Sequence, residues 1–158
     1  MGIIETNLKV RGRAILTACR PGTQEVVARV EAPNLITNAG LNLLAQMLGE
    51  QSGYDTGITY CAIGTDSTTP VAGDTTLTAE SARKAITSYS ISGAELTCST
   101  FFLSTECNVA IEEVGAFGHS TAGAGADSGV MVNHALLSYD NSGGSPNDVT
   151  IDIVLTFS

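Results

Sequence analysis

An all-β fold is what this sequence predicts: an antiparallel β-sandwich of jelly-roll or Ig-like type, with one short core helix and an N-terminal β-hairpin. Three observations carry that expectation. The 158 residues are poor in charge (15%) and in aromatics (5%), lack tryptophan and include 17 glycines, a balance that suits short strands and frequent turns. About eight segments show strand patterning, whereas a single segment has helical spacing. No βαβ alternation recurs, which favours an antiparallel arrangement over a parallel one.

The first strand is 7–18, where Leu8, Val10, Ala14 and Leu16 share one face and Lys9, Arg11 and Arg13 the other. Pro21-Gly22 makes a turn, 25–32 returns as the second arm of the hairpin, and Pro33 ends it. The stretch 34–49, "NLITNAGLNLLAQMLG", is the helix, about 37–49, capped by Thr37 or Asn38 and stopped by Gly49. Leu41, Leu44, Ala45 and Leu48 stand at i, i+3, i+4 and i+7, so this helix is expected to plug the core through that stripe.

Strands are expected at 57–64, 83–92, 95–103 and 108–118, and the pair 83–92 and 95–103 is joined by a Gly93-Ala94 turn. The segment 65–82 reads as a polar loop with a helical turn near Glu80. In 108–118 the adjacent Glu112 and Glu113 interrupt the apolar alternation of Val109 and Ile111 before Val114 and Ala116 resume it, the pattern a β-bulge produces. A small-residue loop, 119–129, is expected to be mobile. Strand 130–139, a turn-rich connection and the regular strand 149–157 follow, the last of them paired inside a sheet.

Charge is unevenly spread. Residues 1–33 hold five of the seven basic residues, Lys9, Arg11, Arg13, Arg20 and Arg29, against three acids; 34–158 hold two basic residues and thirteen acids. The hairpin thus reads as an arm for assembly contacts, resting on an acidic body, its own or a neighbour's, and separable from a sandwich domain at 34–158. A net charge of −9 argues against nucleic acid as a partner. No secretory signal or membrane span is recognisable, so synthesis in the cytoplasm without a membrane association is expected.

Catalytic chemistry finds little support. His119 adjoins Ser120, yet no GxSxG elbow presents the serine, and His134 reads as an interface or surface residue. Glu112 and Glu113 are successive on a strand and face opposite sides. No metal or cofactor motif is present: the four cysteines contain no CxxC pair, and neither glycine-rich loop matches a phosphate or calcium site. Cys61, Cys98 and Cys107 are expected as buried free thiols, and Cys19, beside Arg20, as an exposed one open to an inter-subunit disulfide. The expectation is a protein that is not an enzyme.

The segments "NLITNAGLNLLAQMLG", "ITYCAIGTDSTTP", "DTTLTAESAR", "IEEVGAFG" and "DVTIDIVLTFS", in that order, resemble a module of tailed-bacteriophage virion proteins over about 34–158. The shared positions are Ile36, Thr37, Asn38, Gly40, Ile63, Gly64, Thr65, Asp74, Leu77, Glu80, Arg83, Glu113, Gly115, Phe117 and Gly118. Asn133-His134 departs from the module where an arginine is common, and Ser145 where a lysine is common. The resemblance implies a structural protein on the outside of the particle, in a collar, neck, tail fibre or head decoration, self-associating and in contact with other virion proteins. By analogy the homo-oligomer is a trimer. It also implies a structural ion pair between Glu80 and Arg83, one turn apart if the loop is helical. The alternative is a receptor- or glycan-binding tip module using the loops 119–129 and 140–148, against which stands their lack of tryptophan and phenylalanine.

Overall fold

The computed structural model describes residues 7–158, so the first six residues of the expected arm lie outside the described residues. It contains nine strands, β1 (Val10–Cys19), β2 (Val26–Ile36), β3 (Ile58–Gly64), β4 (Glu80–Ala85), β5 (Ser88–Ser92), β6 (Glu95–Phe102), β7 (Ala110–Gly118), β8 (Val130–Asp140) and β9 (Asp148–Phe157), and one helix, α1 (Asn38–Leu48). All strand pairs are antiparallel and form a single curled sheet in the order β4-β3-β7-β8-β2-β1-β9-β6-β5.

The two layers of this all-β sandwich are the two halves of that sheet. On one side β2 runs from one layer into the other, pairing with β1 up to Gly12–Asn34 and then with β8 through Leu35 and Ile36. On the other side the segment read as one strand, 83–92, breaks into β4 and β5. Between them Ile86 N–H bonds to Thr59 in one layer and Thr87 N–H to Ser99 in the other. Ala14, Leu16, Ile63, Ile111, Val114, Leu137, Ile151, Ile153 and Leu155 fill the space between the layers and are fully buried. At roughly 25 cal/mol per Å² of apolar surface removed from water, this core is the main source of stability.

The bulge expected at Glu112-Glu113 is present: the β7–β8 register slips between Ile111 and Glu113, with the extra residue on β8. Ile111 before this irregularity and Val114 and Ala116 after it all face the core, while Glu113 faces outward.

Two expectations need correction. The hairpin is no separable arm, because β1 lies between β2 and β9 and buries Ala14, Leu16 and Ala18 completely. Removing residues 1–33 would take two strands from the middle of the sheet. Nor does α1 plug the core through its leucine stripe. It buries Gly40 and Leu43 and leaves Leu41 and Leu48 exposed. Gly40 decides this, since a Cβ there would collide with the Val132 carbonyl oxygen. The helix therefore docks by its glycine side, and the apolar stripe faces outward.

The hairpin's connection is tied back by Asp148 at the start of β9, whose carboxylate accepts N–H groups from Gly22 (3.0 Å) and Ser104 (2.8 Å). These bonds hold its pKa below the ordinary aspartate range. The stabilisation is therefore full above the ordinary value of about 3.9 and is lost as pH falls below it through the depressed folded value. Asp148→Asn, which turns an amide NH2 toward one of the two donors, is expected to cost about 1 kcal/mol at pH 7. In urea titrations the difference from the parent should vanish toward pH 2.

Candidate functional site

The outer face of the β3-β7-β8 layer is where the chemistry-bearing side chains gather. Alternation along the strands places Ala62 and Gly64 of β3 and Glu113, Gly115 and Phe117 of β7 on this face; His134 and Met131 of β8 join them opposite Gly115 and Phe117, across a register shift between Ala116 and Phe117. Polar residues would ordinarily face water here. Instead the connection 65–79 folds across the face and inserts Leu77, so that Ala62, Phe117, Met131 and Leu77 form a second, smaller core.

Glu113 is the centre of the arrangement. Its carboxylate is fully buried and accepts N–H groups from Thr78 (2.9 Å) and Ala79 (2.7 Å) of the crossing loop. His134, 1% exposed, places Nε2 2.8 Å from Glu113 Oε2 and Nδ1 2.8 Å from Asp74 Oδ2. Asp74 accepts the Val71 N–H as well. A single histidine thus joins Glu113 of the sheet to Asp74 in the middle of the loop. Each of its contacts requires one proton, held by the ring or by the carboxyl. Both ring nitrogens are engaged, which leaves neither to take a proton from a bound molecule.

Small residues make room for this layer. A Cβ at Gly64 would strike Glu113 Oε1, and one at Gly115 would lie 3.1 Å from Leu77 Cδ2 and 2.9 Å from the Asn133 carbonyl oxygen. The same loop reaches α1, whose first amide, Asn38 N–H, bonds to the Ala72 carbonyl oxygen (2.8 Å). Thr37 caps the helix by accepting the Gly40 N–H (2.9 Å) and donates to the Met131 carbonyl oxygen.

A second cluster flanks the first. Arg83 and Glu80 form a bidentate pair, both bonds 2.7 Å, with side chains only 2% and 5% exposed. The expected pair is present, but on a strand and not on a helical turn. Pairing of Gly64 with Glu80 and of Ile63 with Ala82 leaves Ser81 bulged, which brings i and i+3 to one side of β4. The guanidinium lies 3.8 Å from the Phe117 ring centroid, a cation–π contact, and donates to the Ser128 carbonyl oxygen (2.6 Å). Ser128 Oγ in turn donates to the Gly125 carbonyl oxygen and accepts the Gly123 N–H. The loop 119–129, expected to be mobile, is therefore fastened both internally and to the sheet.

The remaining candidates are scattered. Arg13 and Arg29 both meet Glu31, Arg13 also meets Glu95, and Arg20 pairs with Glu25; through this bond Glu25 raises the pKa of Arg20 and Arg20 lowers that of Glu25. The hairpin's basic residues thus rest largely on the chain's own acids. Lys9 and Arg11 have no ion pair among the described residues. All four cysteines are free, Cys19 half-buried and the others buried. Burial pushes the Cys61 thiol up to about 12 and those of Cys98 and Cys107 up to about 11, so these three remain protonated. His119, at φ 72°, contacts Thr121 Oγ1 and the Tyr54 ring. Ser145 is exposed.

His134 was misplaced by the sequence reading, which put it at an interface or the surface, whereas it is buried within the chain. The usable signal was "VMVNHALL", apolar without alternation, because a strand covered on both faces carries no period-2 pattern. Among the described residues no group of acids, cysteines and histidines is arranged to hold a metal ion, and no helix is long and apolar enough to cross a membrane. No protein-family model, no curated protein and no solved structure matches this chain.

The buried Glu80–Arg83 pair carries a direct test. Arg83→Ala strands the Glu80 carboxylate and is expected to cost about 3–5 kcal/mol in urea unfolding. The double change Glu80→Gln/Arg83→Met removes both charges and should cost distinctly less.

Proposed function

We propose that the chain is a structural, non-enzymatic protein of a tailed-phage virion, self-associating on the particle exterior as a collar, neck, tail-fibre or head-decoration element. The observation that carries this reading is where the positions of the phage-like pattern lie. Eight of the fifteen shared positions, Gly64, Asp74, Leu77, Glu80, Arg83, Glu113, Gly115 and Phe117, span some fifty residues of sequence. All of them serve one task, which is fastening the 65–79 connection and the 119–129 loop onto one sheet face.

A pattern devoted to locking loops suits a particle component, which must keep one shape through repeated, symmetric contacts. In the clustered site each charged group already has a partner within the chain, and the histidine has both nitrogens engaged. These features support a packing role over turnover. The chain would be made in the host cytoplasm and work in the virion, with copies of itself and other virion proteins as partners and no cofactor.

Immunogold electron microscopy of particles from a genome encoding this chain tests the reading, using antibodies shown to bind the native fold. Label confined to the head exterior, or to the neck or tail, is expected. Intact particles without label anywhere would overturn it. Label restricted to the fibre tip, with binding to host surface polysaccharide, would favour a receptor-binding role instead.

A further inference from the structure

We propose that the outward stripe of α1, together with Leu8 and Leu35, is the surface on which a second copy of this chain docks about a two-fold axis. The inference rests on the self-association in the reading above and is independent of the virion assignment. Leu41, Ala45 and Leu48 stand at i, i+4 and i+7 on the helix side opposite buried Leu43. Leu41 is 45% and Leu48 80% exposed. Leu41 shares a groove of about 620 Å³ with Leu8, Val10, Pro33 and Leu35, and Leu8 is itself 67% exposed. The result is a continuous apolar strip, of the kind that marks an association surface.

Two polar features of the groove also await a partner. Asn34 lines it and is 7% exposed, yet neither its amide oxygen nor its amide nitrogen has a hydrogen-bond partner among the described residues. Unpaired amides at such burial are rare in folded proteins; both atoms are sealed from solvent, so a partner reaches them when the Asn34 side chain turns into the groove. The second feature is backbone. Lys9 and Ser158 exchange both of their hydrogen bonds, so the antiparallel alternation turns the N–H and C=O of Val10 toward β2. There the β1–β2 pairing stops at Gly12–Asn34, which leaves those groups open in the groove.

Charge fixes what fits. Lys9 and Arg11, both in the groove wall, have no ion pair among the described residues, and neither has Glu50, which is exposed two residues beyond Leu48. The strip is therefore basic at its Leu41 end and acidic at its Leu48 end, about 10 Å away at 1.5 Å per helical residue. Two copies packed with their α1 helices antiparallel bring each Glu50 to the other copy's Lys9 and Arg11, once on each side of the axis. Parallel packing would set like charges against each other. The antiparallel pose also delivers the polar backbone of the Gly49-Glu50 turn to the groove that holds Asn34 and Val10.

Sedimentation velocity of the full chain, up to on the order of 100 μM, tests this together with four variants checked for native circular dichroism. The parent chain is expected to form a dimer or an even-numbered assembly. Leu41→Glu/Leu48→Glu alters only exposed side chains and should weaken association by about tenfold or more. Lys9→Glu/Arg11→Glu and Glu50→Lys should each weaken it, and their combination should restore it. A monomeric parent, unchanged association in Leu41→Glu/Leu48→Glu, or no recovery in the combined charge reversal would overturn the proposal. If unlabelled particles remove the virion reading, a dimer broken by Leu41→Glu/Leu48→Glu still upholds this surface. Labelled particles with unaffected association have the opposite meaning.

Discussion

A carboxylate buried in the middle of a sheet cannot be left alone, and Glu113 imposes that constraint on everything around it. Taking a carboxyl group out of water is costly unless hydrogen bonds replace those it made to water. Two loop amides and His134 supply that replacement. The requirement spreads outward from there. His134 needs Asp74 for its second nitrogen, the amides need the 65–79 connection to cross the face, and Glu113 needs glycine at position 64.

The covering loop gives the molecule a third layer over a sandwich whose core is otherwise ordinary. Leu77 inserts where Gly115 has no side chain, Ala72 receives the first amide of α1, and the Glu80–Arg83 pair extends the same fastening to 119–129. Loops held this way offer fixed contours, while an apolar strip remains uncovered along α1 and the start of β1, beside other exposed apolar side chains such as Val26 and Ile91. The molecule thus divides into one face closed by its own chain and another that is still open.

How much of this was legible in the sequence depended on whether a pattern had one explanation or two. Strands exposed on one face, such as β1 and β9, alternate and were read directly. The Glu112-Glu113 bulge was equally readable, because consecutive acids broke an apolar rhythm. The Glu80–Arg83 pair was anticipated from the resemblance, on the assumption of a helical turn, but its cause was a bulge at Ser81 that only the β3–β4 register reveals. The α1 stripe showed that the helix had an apolar side without showing what would cover it. Gly40, permitting close approach to Val132, outweighed three larger apolar residues. The role of His134 was hidden because its partners lie 21 and 60 residues away, a separation that no local pattern encodes.

The most direct test of the central role of Glu113 is amide hydrogen exchange on Glu113→Gln beside the parent. The substitution keeps the side chain's shape and replaces one of its two oxygens by an NH2 group, which cannot accept the bonds that oxygen makes. If Glu113 fastens the covering layer, exchange should speed up at Thr78, Ala79 and Val71 and at the first amides of α1, with the β1, β6 and β9 amides unchanged. Protection that stays the same across 65–79, or that falls uniformly over the whole sheet, would contradict the account.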